Sequence, residues 1–270
     1  MNFKSLEDKC LYYRGLTDYK VLPNSNVIAM VDGRAFSKLI KKKFELPFSK
    51  CFIEMMNETA KYVCENVQGC KIAYVQSDEI SFLITDYDTK ESDSFFGYRL
   101  CKMQSIIASL ATAKFNQMLA LANMLDEPFK DCYKVVEGMK LAQFDCKVWP
   151  VPSGNDAFAW FLYRQIDCVR NSKQQAAQTY LSHKELLGLH TDEQIAKLKQ
   201  EKGVDWNEYD DGMKFGRFIY QATKHMSKTV NGQTIEFDRN VWSANDAFNL
   251  TDDGNKERFL ELVPVLKMGR

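Results

Sequence analysis

KIAYVQSDEISFLIT, Lys71 to Thr85, contains two β-like runs, Lys71 to Val75 and Ile80 to Thr85, separated only by Gln76, Ser77, Asp78 and Glu79. That gap is short enough for a hairpin turn, so both carboxylates are expected at or near its tip. Upstream, the apolar run Val27 to Val31 is followed at once by Asp32 and Gly33, as a buried strand ending at a turn would be. Between them, Phe52, Met55, Met56, Ala60 and Val63 recur at helical spacing within about Phe48 to Val67, which reads as an amphipathic crossover helix. A long helical pattern follows from about Ser94 to Leu125, and another strand candidate lies near Phe144 to Val148. The order strand, helix, strand, strand, helix, strand predicts an α+β chain built on a ferredoxin-like sandwich.

Farther along, Asn155 to Tyr180 is again helical in pattern, with Asn155 or Ser153 as N-cap and Asp156 in the first turn. The second half reads as mainly helical up to Phe218, with Asp192 to Lys202 as a solvated helix. The tail from Gly232 to Lys267 reads as short strands and turns. We therefore expect a core over residues 1–152 and a mainly helical extension over 153–270, packed together as one unit of 270 residues.

Hydrophobic residues make up 45% and charged residues 27%, the balance of a chain that folds. Lys plus Arg equals Asp plus Glu at 36 each, so any polyanion has to be met by a local basic face. No apolar run approaches the ~20 residues of a membrane span, and MNFKSLEDKCLYYRG lacks the apolar centre of a signal peptide. A cytoplasmic protein with no clear targeting segment is the expectation. The eight cysteines stand singly, without a CxxC pair, and are expected to be reduced and mostly packed.

In a ferredoxin-like arrangement the end of the first strand and the tip of the hairpin lie side by side, which brings Asp32 within reach of Asp78 and Glu79. Carboxylates held that close repel one another unless a cation intervenes, and oxygen-only ligands suit magnesium. Two such ions, about 4 Å apart, activate an attacking oxygen and stabilise departing pyrophosphate, which is nucleotidyl transfer. Gly33, without a side chain, would let its carbonyl approach a metal. The same residues also fit an ordinary Asp-Gly turn and a solvated Ser-Asp-Glu tip, and spacing alone leaves both readings open. So it does for Ser77, which could orient a phosphate or satisfy its own backbone. Arg99 and Lys102, three residues apart, share one helix face that could be basic by function or merely solvated. The three lysines at 41 to 43 could meet phosphates or line a loop.

VDGRAF (Val31 to Phe36) followed by YVQSDEISF (Tyr74 to Phe82) resembles the paired signature of the tRNA-His guanylyltransferase superfamily. The resemblance continues through FDCKV (Phe144 to Val148), YRQIDCVRNS (Tyr163 to Ser172) and SHKELLGL (Ser182 to Leu189), and so covers most of the chain up to about Gly216. It implies a palm-like polymerase core that extends a tRNA from its 5′ end: ATP adenylylates the 5′ phosphate, then the 3′ hydroxyl of an incoming nucleotide attacks it and expels AMP. Carried over by position, Asp32 and Asp78 would ligate two magnesium ions, Gly33 would offer its carbonyl, and Glu79 would support the metal or the attacking group. Gly33, Arg34, Ala35, Phe36, Ser77 and Asp78, with Arg99 and Lys102, would bind ATP, GTP or another nucleoside triphosphate. Arg164, Asp167, Arg170 and Asn171, together with Lys43, Lys50 and Lys184, would contact nucleotide or tRNA. The resemblance further implies a homotetramer with tRNA crossing more than one subunit, and no membrane.

The chain departs from that pattern in three places. True tRNA-His enzymes carry His-Ile-Asn-Asn after the Asp-Cys pair, whereas Val169, Arg170, Asn171 and Ser172 stand here. That departure points to the guanylyltransferase-like branch and to template-dependent repair of truncated tRNA 5′ ends. In FELPFSK (Phe44 to Lys50), Leu46 precedes the proline where the family commonly has lysine, leaving a triphosphate contact to Lys43 or Lys50. Met30 replaces an arginine before the Val-Asp-Gly core. The alternatives are a tRNA-His guanylyltransferase proper, adding the extra 5′ guanosine, and a catalytically inactive RNA-binding relative.

Overall fold

The computed structural model describes residues 3–89, 91–126, 140–230 and 233–263. Its strands are β1 (Asn26–Gly33), β2 (Cys70–Gln76), β3 (Glu79–Ile84), β4 (Phe144–Val151), β5 (Arg217–Val230) and β6 (Gln233–Asp246). They form one antiparallel sheet in the order β4-β1-β3-β2-β5-β6. The helices are α1 (Leu6–Gly15), α2 (Phe36–Lys43), α3 (Lys50–Asn66), α4 (Leu100–Asp126), α5 (Gly154–Tyr180), α6 (His183–Leu186), α7 (Thr191–Lys202), α8 (Asp211–Lys214) and α9 (Asn255–Leu260).

Successive side chains of a strand point to opposite faces, and here both faces are covered. Val27, Ala29 and Val31 of β1 and Phe82 of β3 pack under α3 and α4, against Met56, Ala60, Ile107 and Phe115. Ile28 and Leu83 point the other way, into a second core under α5 built on Phe158, Phe161 and Phe218. Burial on both faces is why these strands read as continuous apolar runs. A third cluster, Ala177, Leu186, Leu198 and Trp206, fixes α7 against the later turns of α5. The helix starts follow their caps: Ser49 accepts from Phe52 N–H and Ser153 from Asp156 N–H.

Two expectations are corrected. The extension is helical from Gly154 to Lys214 and again at α9, but between them it returns two 14-residue strands to the sheet. Arg217 to Tyr220 pair with β2, while the remainder of β5 pairs with β6 alone. Beyond Tyr220 this ribbon is largely exposed, so no buried face imposes an apolar period on it. Cys64, Cys70 and Cys168 are buried, but Cys10, Cys51 and Cys101 sit on the solvent side of helices, so packing is not the common state of the thiols; Cys132 lies outside the described residues.

Candidate active site

The β1–β3 register sets Asp32 directly across from Glu79, and Gly33 N–H donates to the Asp78 carbonyl at 3.1 Å. Gln76 pairs with Glu79 at the end of the hairpin, which leaves Ser77 and Asp78 as its two turn residues. Ser77 takes a left-handed φ of 43°, at a position where hairpin turns favour glycine. Its Oγ donates to Asp78 Oδ1 at 3.1 Å. Strand alternation puts Asp32 and Glu79 on the α5 side of the sheet. On the other flank of β1, Asp145 of β4 pairs with Asp32.

The carboxylates are poorly compensated. Burial raises the pKa of Asp32, Asp145 raises it further, and Lys147 and Arg164 offset part of this. Asp78 is pushed up to about 6, chiefly by burial, with the charges of Asp32 and Glu79 adding to it. Glu79 instead has a partner. Arg164 of α5 donates from Nε to Oε1 at 2.7 Å and from Nη2 to Oε2 at 2.6 Å, and the Gln76 amide adds a bond to Oε1 at 3.1 Å. Arg164 also meets Asp167 at 3.2 Å, and Asp167 pairs onward with Arg170.

Among the described residues no group of three or more His, Cys, Asp or Glu side chains converges as a ready-made metal cage. A cation here would rest on Asp32 and Asp78, with main-chain, water and phosphate oxygens completing its shell. That donor set is magnesium's, and two carboxylates whose proton affinity is raised by burial and by neighbouring carboxylates are what a divalent ion relieves. The residues present therefore fit the metal.

A cleft of about 400 Å³ opens over this corner. Asp32, Ser77, Asp78 and Glu79 form its floor, Arg164, Asn171 and Gln175 one wall, and Glu45, Phe48 and Phe52 another. Six of the residues expected from sequence thus meet in one place: Asp32, Ser77, Asp78, Glu79, Arg164 and Asn171. The others do not. Arg34, Ala35 and Phe36 line a separate cavity of about 410 Å³ together with Lys43. Phe36 is 1% exposed and packs on Phe52, Phe115 and Phe144. Its role is to support the strand end: a Cβ on Gly33 would lie 2.4 Å from its ring. Lys50 and Lys184 are exposed outside the cleft walls, and the exposed Arg170 turns to Asp167.

Arg99 and Lys102 are the largest discrepancy. Arg99 pairs with Asp18 at 2.7 Å, and the adjoining Tyr98 hydroxyl donates to the Ser25 carbonyl beside the start of β1. Asp32 lies at the other end of that strand, about 20 Å away. The shared helix face is not formed: Arg99 is extended and bridged to Lys20 before α4 begins at Leu100, so only Lys102 stands on the helix. Their spacing carried no information about which end of the sheet they would reach. Conversely, Asp145 and Arg217 were missed. Asp145 lies within the FDCKV block, where alternation along the strand places it beside Asp32. Arg217 lines the cleft and bonds Asn57 and the Gly212 carbonyl, and no local signal in the sequence marks it.

Residues 9–152 match the tRNAHis guanylyltransferase family. A bacterial tRNA(His) guanylyltransferase-like protein solved in complex with ATP is similar at a TM-score of 0.79 and 30% identity, over 97% of this chain and 100% of that one. The corresponding bacterial structure in complex with GTP gives 0.74 and 28%, over 96% and 100%. The tRNA(His) guanylyltransferase of Neurospora crassa is 29% identical over 153 residues, 56% of this chain, which spans about half the length of that relative. Since the family match covers more than half of the residues and the likeness to the ATP-bound relative nearly all of them, this chain belongs to the tRNAHis guanylyltransferase family.

Proposed function

We propose that the chain is a nucleotidyltransferase that adds a nucleotide to the 5′ end of a tRNA at the Asp32–Asp78 corner. The observation that carries this reading is the meeting of those two underneutralised carboxylates on the floor of a cleft, in a family of guanylyltransferases. The palm reading of the core belongs to the proposal; the order β4-β1-β3-β2 with α3 and α4 on one face supports it. A functional division near residue 152, with the carboxylates on one side of it and Arg164 and Asn171 on the other, is likewise part of the proposal.

Magnesium held by Asp32 and Asp78 would neutralise charge on the reacting phosphates. Arg164 keeps Glu79 engaged, so that a third carboxylate adds less repulsion to the pair. In the first step the RNA 5′ phosphate displaces pyrophosphate from ATP; in the second, the 3′ hydroxyl of the incoming nucleotide displaces AMP from the activated end. The bacterial relatives solved with ATP and with GTP support both nucleotides as ligands. A homotetramer and a cytoplasmic setting complete the proposal.

The first substrate reading is guanylyl addition to tRNA(His), because the curated relatives carry that name. This reverses the order of preference drawn from the sequence. Template-dependent repair is the second reading. It is supported by Val169-Arg170-Asn171-Ser172 and by full-length likeness to bacterial guanylyltransferase-like proteins. The deciding assay supplies ATP, all nucleoside triphosphates and magnesium to 5′-monophosphorylated tRNA(His), and to a different tRNA lacking its first nucleotide. Guanosine on tRNA(His) alone supports the first reading, addition dictated by the opposing base supports the second, and Asp78→Asn abolishes either. No addition and no adenylylation on any tRNA would leave the inactive RNA-binding relative.

A further inference from the structure

The cleft is not the only opening onto Asp78. A second, wider groove of about 710 Å³ shares Ser77, Asp78, Asn171 and Gln175 with it and runs away along α5 toward Leu186, Leu187 and Gly188. Apart from Asp78, its charged or titratable lining is Lys41 and His183; the rest is amide, hydroxyl and apolar. Asn171, Gln174 and Gln178 follow one another at helical spacing along one face of α5, a ladder rising about 10 Å. None of their side-chain amides has a hydrogen bond within the described residues, so each keeps donors and an acceptor unspent. On the far side Gln194 donates to the Leu189 carbonyl, while its Oε1 is buried without a partner. Leu46 and Leu187, both exposed, supply apolar surface to the same groove.

Neutral amides set beside exposed leucines suit a ligand with flat apolar faces and hydrogen-bonding edges, which describes a nucleobase. Amides of Asn and Gln meet base edges with paired donor and acceptor, and unstacked bases at RNA ends are read along such edges. The reaction also needs two nucleotide-bearing partners to reach one pair of carboxylates from different directions. The compact cleft accommodates a mononucleotide, and the open groove accommodates a strand. We propose that this groove is the entry site of the RNA end, with Gln174 and Gln178 reading bases next to the reacting 5′ terminus. The assignment rests on the nucleotidyltransferase reading of Asp32 and Asp78.

The test uses the full chain and a 5′-monophosphorylated tRNA carrying 4-thiouridine at its first nucleotide. Irradiation is expected to attach the RNA within Gln174–Gln178 or Leu186–Gly188. Gln174→Leu and Gln178→Leu are each expected to weaken tRNA binding about fivefold, the loss of one neutral hydrogen bond, with ATP affinity and melting temperature unchanged. Attachment confined to the Phe48–Ile53 wall, or equal tRNA binding by both variants, overturns the assignment. Displacement of the crosslink by free GTP alone also overturns it, by making the groove a mononucleotide pocket. If the wild-type chain crosslinks in the groove yet transfers no nucleotide, the groove stands as an RNA site and the catalytic reading falls. If it does neither, both fall.

Discussion

Arg164 on α5 grips both carboxylate oxygens of Glu79, the residue that follows the hairpin turn, at 2.7 and 2.6 Å. Each side chain is only 12% exposed. This one contact ties the helical part of the chain to the strand end that carries the carboxylates, and removing either partner leaves a charge in a half-dry site. Arg164→Ala is therefore expected to lower unfolding free energy by about 2–4 kcal/mol, measured by urea titration. Arg164→Lys should recover only part of this, since an ammonium cannot make the two-point contact. Full stability in Arg164→Ala would show that the pair is incidental.

The Asp78 carboxyl gives a prediction about pH. Its pKa stands at about 6 against an ordinary 3.8, so between those values the folded chain holds a proton that the unfolded chain has lost. The stability this group contributes is therefore full below about pH 4, declines as pH rises to about 6, and is level above that. The total is of order 2–3 kcal/mol. Asp78→Asn should raise stability at pH 7 and flatten that slope while abolishing transfer, the trade expected of a functional carboxylate. In the wild type, kcat/KM should rise through about pH 6 as Asp78 ionises. Magnesium should raise the melting temperature at pH 7.5 and hardly at all at pH 5, where protons compete for the same oxygens. Equal stabilisation by magnesium in the wild type and in Asp78→Asn would remove Asp78 from the metal site.

Gly33 offers a steric test. A methyl group there would lie 2.4 Å from the Phe36 ring, which is wedged among Phe52, Phe115 and Phe144 and has little room to yield. Gly33→Ala should cost about 2–3 kcal/mol. Asp32 precedes it in the chain, so the displaced strand end should also lower kcat by about 100-fold. Adding Phe36→Leu should recover part of the stability, which a thermal melt would reveal; no recovery would place the strain elsewhere.

Much of this was legible in the sequence, for identifiable reasons. The strands that end at Gly33 and start at Glu79 could be read to within two residues at those ends, because burial on both faces makes them nearly continuous apolar runs. Asp32 and Gly33 prove to be paired strand rather than turn. The start of α3 was close to the reading, and Ser153, one of the two residues considered, does cap α5. Asp32 and Asp78 could be brought together because strand order alone decides it. By contrast, the Arg164–Glu79 pair joins residues far apart in sequence, and no local rule selects which cation will turn to which carboxylate. The β5–β6 ribbon escaped because its outer part has no buried face. Even so, the Asn231-Gly232 dipeptide between the two runs was a hairpin signal in the sequence.

The last prediction concerns Arg99 and Lys102. Family resemblance gives them a triphosphate to bind, yet within one chain they stand about 20 Å of strand from Asp32, with Arg99 held by Asp18. Both statements hold if, in the homotetramer proposed above, the start of α4 in one copy faces the cleft of another. The Arg99→Ala/Lys102→Ala double variant and the Asp78→Asn variant should then each be inactive, and a mixture of the two, dissociated and reassembled together, should regain transfer that neither shows alone. Each variant lacks what the other retains, so some mixed assemblies carry a complete site across the junction. Full activity in the double variant would confine these cations to their contacts with Asp18 and Phe96. An inactive double variant that no partner rescues would mean they act within their own chain, through the packing of α4 on the sheet.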